Sequence, residues 1–350
     1  MSIESVYFVF PGCLDALTGG YTYDRQLIHG LRQQGLRVET LSLSGRFPFP
    51  DSADLKEAIE ALAALPDDAV VIIDGLAFGA LDETALAQAQ RLRIIALCHH
   101  PLALESGLDP AQHQRFLVSE QRSLQMARAV LVTSEHTRGI LITQFAVPPE
   151  RVAVARPGTA RMSFADCNGE PPILLAVGSL TRRKAHDVLI NALAPLVDLP
   201  WQARFVGSRD FDAVWSDALQ HQVNRLKLQS RIHFAGTVED IPLELQSADL
   251  FVLPSRYEGY GMVFAEALAA GLPILAARAG AVPDVVPESA GVLVPPDDVE
   301  ALTAALRRLL TREDLRRQLQ AGARQAACEL PTWADTVSCV ARVLEDVTAS

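Results

Sequence analysis

The chain has 350 residues, 49% of them hydrophobic and 21% charged, with a net charge of −11, which is the makeup of a folded protein of two domains with no cationic footprint for nucleic acid. The negative charge is shared, with 14 Lys+Arg against 20 Asp+Glu in residues 1–170 and 17 against 22 in the rest, which weighs against charge-driven docking on anionic lipid but leaves peripheral membrane contact open. No apolar run reaches the roughly 20 residues of a membrane span, and Cys13, Cys98, Cys167, Cys328 and Cys339 are dispersed without metal-ligand spacing, as expected of reduced thiols in a cytosol.

Read in chain order, "MSIESVYFVF" shows no basic segment followed by a cleavage site, so no signal peptide and a cytoplasmic location are expected. "SVYFVF" reads as the first strand. After it, "TGGYTYDRQLIHGL" places Gly19 and Gly20 at the start of an amphipathic helix over Tyr21–Gln34. Free N–H groups at a helix start suit an anion, although a plain tight turn would look the same, and the spacing is not that of a dinucleotide fingerprint. "RVETLSL", "AVVIID", "RIIALC", "AVLVTS" and "RVAVA" continue the strands, with a helical pattern over Gln112–Met126. "RIIALC" ends on His99 and His100. Each is either a site residue or a packing or capping histidine; no HExxH or Cys/His pairing surrounds them to make a zinc site.

The alternation pauses at "RPGTARMSFADCNGEPP", residues 156–172, whose proline, glycine and polar content suits a linker. It restarts with "PILLAVG", "QARFVG", "RIHFAG", "DLFVLP", "PILAA" and "GVLVP", separated by helical patterns such as Lys184–Val197 and Asp212–Leu226. Continuous apolar strands with helical crossovers predict an α/β protein of two Rossmann-like, doubly wound parallel sheets: a domain over 1–165, a second over 166–330, and a last helix within 331–350 with Trp333 as a packing anchor. Such sheets bind ligands beyond the carboxyl ends of their strands, so two facing domains would share one cleft.

Chemistry concentrates in two stretches of the second half. "VGSLTRRKAHDVLINAL" puts Arg182, Arg183 and Lys184 after a strand, where like charges at a helix start are unfavourable unless a phosphate joins them. "SRYEGYGMVFAEALAAG" sets Glu258, Gly259, Tyr260, Gly261 and Met262 on a strand-to-helix turn. Its glycines allow close backbone approach, its helix start favours an anion, and Glu266 lies further along in apolar company, where a bare carboxylate is costly. The plain alternative is a dipole-favoured Glu258 and a surface Glu266. "RDFD" offers Asp210 and Asp212, read as helix caps ahead of the next helix and not as a metal pair.

Glu258 and Glu266 in "EGYGMVFAEALAAGLPILAA" resemble the E-x7-E motif of family 4 glycosyltransferases, retaining enzymes of the GT-B fold, and the likeness runs over almost the whole chain. The resemblance implies a transferase moving a hexose-type sugar from a UDP- or GDP-sugar donor to a hydroxyl acceptor, with no cofactor and no metal. It implies that Glu258 contacts the donor sugar, Glu266 the ribose hydroxyls, and Gly259–Met262 the diphosphate, with Gly19 and Gly20 facing the donor phosphates from the first domain. Lys184 carries over as a leaving-group cation, and the arginine role falls to Arg182 or Arg183. The family usually has an arginine where this chain has Ser179 and a glycine where it has Ala185. One histidine, His99 in preference to His100, would face the sugar and acceptor; His99, Glu258 and Lys184 are thus the expected catalytic residues. With Glu258 a hydroxyl binder, same-face substitution is expected instead of double displacement. The last helix would cross back to the first domain, and the domains would close on the donor about 156–172. Phe47 and Phe49 would meet an apolar acceptor or pack inward. Competing readings are a nucleotide-sugar epimerase, a phosphorylase or a non-catalytic nucleotide-sugar binder.

Overall fold

The computed structural model describes residues 5–16, 18–81, 86–105 and 107–349, so the expectation drawn from residues 1–4 lies outside it. The chain divides into two compact units, Met1–Gly158 with Pro331–Ser350 and Thr159–Leu330. Residues 159–165 thus join the second unit: the Ala165 amide donates to the Ala270 carbonyl at 2.8 Å, and Arg324 stacks over Phe164 at 5.2 Å.

The first unit holds β1 (Ser5–Pro11), β2 (Arg37–Leu43), β3 (Val70–Asp74), β4 (Arg93–Cys98), β5 (Ala129–Val132) and β6 (Val152–Val154), in the spatial order β2-β1-β3-β4-β5-β6 and parallel throughout. β3 is buried along its whole length, while the edge strand β2 alternates, because only the interior strands are covered on both faces. Helix Gly19–Gln33 is capped by Thr18, whose hydroxyl accepts from the Tyr21 amide, and turns Tyr23, Leu27, Ile28 and Leu31 inward. Helices Ser52–Ala63 and Pro110–Met126 each start from a capping box, built on Asp51 and Asp109. The C-terminal helix Trp333–Ala349 packs on helix Gly19–Gln33: Val337 fills the space a side chain at Gly30 would need, and the Trp333 ring meets Tyr23 edge-on at 5.7 Å.

The second unit holds β7 (Ile173–Val177), β8 (Gln202–Val206), β9 (Ile232–Gly236), β10 (Leu250–Leu253), β11 (Ile274–Ala277) and β12 (Gly291–Val294), in the order β12-β11-β10-β7-β8-β9, again parallel. Each of the twelve predicted strands is present. Strand order reverses direction between β1 and β3 in one sheet and between β7 and β10 in the other. At these points the loops diverge to opposite faces and leave a crevice at the carboxyl ends of the strands. Among the described residues no helix is long and apolar enough to cross a membrane.

Candidate active site

At the β7/β10 switch point the chain leaves β7 through Gly178, which lies against the Lys184 stem; a Cβ there would stand 3.2 Å from Lys184 Cε. Arg182–Lys184 form a 3-10 turn, Ala185 follows in the left-handed region at φ +55° with its methyl fully buried, and the helix proper runs only over His186–Leu193. The helix expected over Lys184–Val197 is therefore shorter: the turn at Ala185 delays its start, and a further 3-10 turn containing Pro195 ends it. From the other side, β10 leads into the loop carrying Glu258, 4% exposed. Lys184 Nζ donates to Glu258 Oε1 at 2.6 Å, while Arg183 Nη1 donates to Oε2 and to the Tyr257 carbonyl, each at 3.1 Å. Arg256 ties the loops together, its amide donating to the Arg183 carbonyl at 2.8 Å and its guanidinium to Asp187 at 2.8 and 3.2 Å and to Asp297 at 2.7 Å.

Burial by itself would push the Glu258 carboxyl up, but Lys184 and Arg183 outweigh it and hold the group down at about 2. Burial lowers Lys184; Glu258 opposes that and Arg183 adds to it. Two cations around one carboxylate leave one positive charge in surplus. His186 beside them adds none, since burial and Lys184 push its imidazole down to about 3. Arg182 turns away and stacks over the Trp215 ring at 4.2 Å.

Beyond Glu258, Gly261 adopts φ +88°, where a Cβ would stand 2.6 Å from the Phe264 ring, and helix Met262–Ala269 begins with no side-chain cap on its free amides. Gly271, at φ +70°, ends it. Gly259 and the buried Tyr260 complete the turn. Glu266 is half-buried on this helix, its carboxyl has no hydrogen-bond partner among the described residues, and burial pushes it up to about 7 against the pull of Lys184.

At the β1/β3 switch point a second cluster forms. Gly20 lies against the His99 ring, where a Cβ would stand 3.5 Å from Cδ2, and Gly19 opens the helix. His99 Nε2 is 3.0 Å from Asp24 Oδ1 and 3.8 Å from Asp74 Oδ2, with Tyr23 edge-on to the ring at 5.1 Å. Both carboxyls are buried, and Asp24 Oδ2 has no hydrogen-bond partner among the described residues. Burial and Asp24 push Asp74 up to about 7; burial pulls His99 down, but Asp24 and Asp74 together raise it. These three are also the described residues whose ligand atoms lie within 4.8 Å of one another. Within this group His99 Nε2 and Asp24 Oδ1 are hydrogen-bonded to each other. His100 turns to Glu105 at 3.8 Å. The loop after the histidines is held by Glu120, which accepts from the Leu102 and Ala103 amides at 3.0 and 3.3 Å and is pushed up to about 7 by burial.

Residues 163–326 match the family Glycosyl transferases group 1, and residues 15–158 match the Glycosyl transferase 4-like domain. Both halves of the chain thus match glycosyl transferase families. It is 28% identical over 323 residues to MMP alpha-(1->4)-mannosyltransferase of Mycolicibacterium hassiacum, covering 87% of this chain and 76% of that one. It spans 58% and 61% of the length of two other curated relatives. Among solved structures it superposes on sucrose-phosphate synthase from Thermosynechococcus elongatus with a TM-score of 0.84 at 23% identity, covering 99% of each chain. It also superposes on Anabaena HepE in complex with UDP and glucose, with a TM-score of 0.75 at 19% identity, covering 97% of this chain and 99% of that one. The fold is GT-B and the protein is a glycosyltransferase enzyme.

In this glycosyltransferase Lys184, Arg183 and Glu258 meet in one cluster, and Gly259–Met262 form the adjoining turn and helix start. Gly19, Gly20 and His99 gather at the other switch point. Arg182 does not join the cluster, because the Trp215 face holds it. Asp212 caps its helix by accepting from the Trp215 amide at 2.9 Å. Phe47 packs inward, whereas Phe49 is 48% exposed and meets Phe116 edge-on at 5.4 Å. Sequence reasoning missed Asp24, Asp74, Glu120, Arg256 and Gly280. The available signal was a charged residue inside an apolar face (Asp24, Glu120) or ending a buried strand (Asp74).

Proposed function

We propose that this glycosyltransferase moves a hexose from a nucleotide-diphosphate sugar, UDP- or GDP-linked, to a hydroxyl acceptor with retention at the anomeric carbon and without a metal. The observation that carries the reading is the Lys184–Glu258–Arg183 cluster, with its surplus positive charge beside an uncapped helix start. That set suits a diphosphate leaving group, because cations and helix amides stabilise the charge that develops as the glycosidic C–O bond breaks. Glu258 is held ionised by its cations and serves as an acceptor for the sugar hydroxyls. The acceptor oxygen attacks from the face the diphosphate leaves, and its proton passes to the departing diphosphate oxygen. Glu266 takes the ribose hydroxyls. In the first unit His99 is the substrate-facing group, with Gly20 giving close backbone approach. The similar proteins, a mannosyltransferase and a structure in complex with UDP and glucose, accord with such a donor.

The test is a panel of UDP- and GDP-sugars incubated with the full chain, with and without EDTA, the anomer of the released or transferred sugar being read by NMR. Continued turnover in EDTA with retained configuration is expected. Loss of activity restored by manganese or magnesium would overturn metal independence, and an inverted product would overturn retention.

A further inference from the structure

The cluster around His99 has a feature that a simple substrate-binding histidine does not require. Two buried carboxyls converge on one ring nitrogen: Asp24 Oδ1 at 3.0 Å and Asp74 Oδ2 at 3.8 Å from Nε2. Neither residue is more than 1% exposed. Two bare carboxylates packed together without water are unfavourable, and a proton between them removes the repulsion. The unpartnered Asp24 Oδ2 is the acceptor such a proton needs. Asp74 is the side suited to carry it, because its Oδ1 already accepts from the Leu76 amide at 2.7 Å and its Oδ2 lies too far from His99 for a hydrogen bond.

We infer that Asp24 and Asp74 share one proton, carried by Asp74, and act together as positioning residues: the Asp24 carboxylate fixes the His99 ring through Nε2 and favours its charged form. With Tyr23 edge-on to the ring and Gly20 against Cδ2, the ring is held by its neighbours, and Nδ1–H remains as the donor for a substrate oxygen. Asp74 has the raised value expected of the proton carrier, with burial and Asp24 as the causes. The other titratable groups facing the cluster are Tyr21 and Tyr23 from helix Gly19–Gln33 and Cys98 from β4, with Cys13 and Cys339 near the tyrosines and Glu120 near Cys98. Burial pushes Tyr21, Tyr23 and Cys98 up, so all three stay neutral where the histidine titrates. The inference rests on the reading of His99 as substrate-facing only for its catalytic consequence; the proton arrangement stands by itself.

The test follows the ring nitrogens of 15N-histidine in the full chain from pH 5 to 9, the His99 signal being assigned by its loss in His99→Gln. In the wild type the midpoint of the ring should lie above the usual 6.5 of imidazole. Asp24→Asn should lower that midpoint by about one unit or more. Asp74→Asn, whose amide imitates the neutral acid and can donate to Asp24 Oδ2, should leave it nearly unmoved. The alkaline limb of the kcat/KM profile should shift with Asp24→Asn and not with Asp74→Asn. A wild-type midpoint at or below 6.5, which needs no variant to fold, overturns the inference, as does an equal shift in the two variants. The expected titration without transfer from any donor supports the proton arrangement and overturns the substrate-facing role.

Discussion

Gly280 lies at φ +56° directly on the backbone of Glu258: a Cβ there would collide with the Glu258 carbonyl oxygen and stand 2.9 Å from its nitrogen, while the Ala281 amide donates to that oxygen at 2.9 Å. The loop after β11 therefore sets the height of the residue that gathers Lys184 and Arg183. Gly280→Ala should cost about 2–5 kcal/mol, from about 1–2 for the left-handed backbone and 1–3 for overpacking. It should also lower turnover, because the Glu258 carboxylate moves with its backbone. Urea unfolding measures the first effect; an unchanged midpoint would show that the loop yields without strain.

Removing Lys184 leaves a buried carboxylate with Arg183 as its remaining cation. Lys184→Met should lose about 3 kcal/mol at neutral pH, and adding Glu258→Gln should recover part of that loss. The folded value of Glu258, about 2, lies below the ordinary 4.5. Its stabilisation is thus complete above pH 4.5 and disappears as pH falls through 2. Unfolding free energies of the four members of the cycle between pH 3 and 8, if additive, would dismiss the pair as an energetic unit.

For Glu266 the sign reverses. Its folded value, about 7, lies above the ordinary 4.5, so the folded form holds the proton more tightly and stability falls as pH rises from 4.5 to 7. Glu266→Gln should therefore be more stable than the wild type at pH 8, by about 1–2 kcal/mol, and nearly equal below pH 4.5. Nucleotide binding should move the other way, weakening by about 1.5–3 kcal/mol as the charge-assisted bonds to ribose are lost. Calorimetry with UDP and GDP decides this; equal affinity for wild type and variant refutes the ribose assignment.

Glu120 supports the loop after His99 through two backbone amides. Glu120→Ala leaves both donors buried without an acceptor and should cost about 2–4 kcal/mol, whereas Glu120→Gln keeps one oxygen for one amide, turns its NH2 on the other and should cost about 1–3 kcal/mol. Hydrogen exchange should accelerate at both Leu102 and Ala103 in the alanine variant and at one of the two in the glutamine variant. Similar exchange in both variants would mean that the loop is held by its packing.

The strands were legible because a parallel strand covered on both faces appears as a short continuous run of β-branched and apolar residues, as in "VVIID" and "LFVL". The motif around Glu258 was legible because glycines, a strand and an apolar helix adjoin in one short segment. What the sequence could not decide was which distant residues meet. Lys184 and Glu258 are 74 positions apart, and no local preference joins them; the pairing of β7 with β10 does. That Arg183 and not Arg182 reaches Glu258 follows from the Trp215 face under Arg182, another non-local contact. Asp24 and Asp74 read as an ordinary helix polar residue and a strand end until packing removes the water around them, which changes their chemistry. Ala185 takes the left-handed turn where a glycine is expected, because its buried methyl and the Lys184–Glu258 pair outweigh a backbone cost of about 1–2 kcal/mol. Local sequence sets the element each residue enters, and burial with strand order sets its partner and charge state, because both depend on groups far away along the chain.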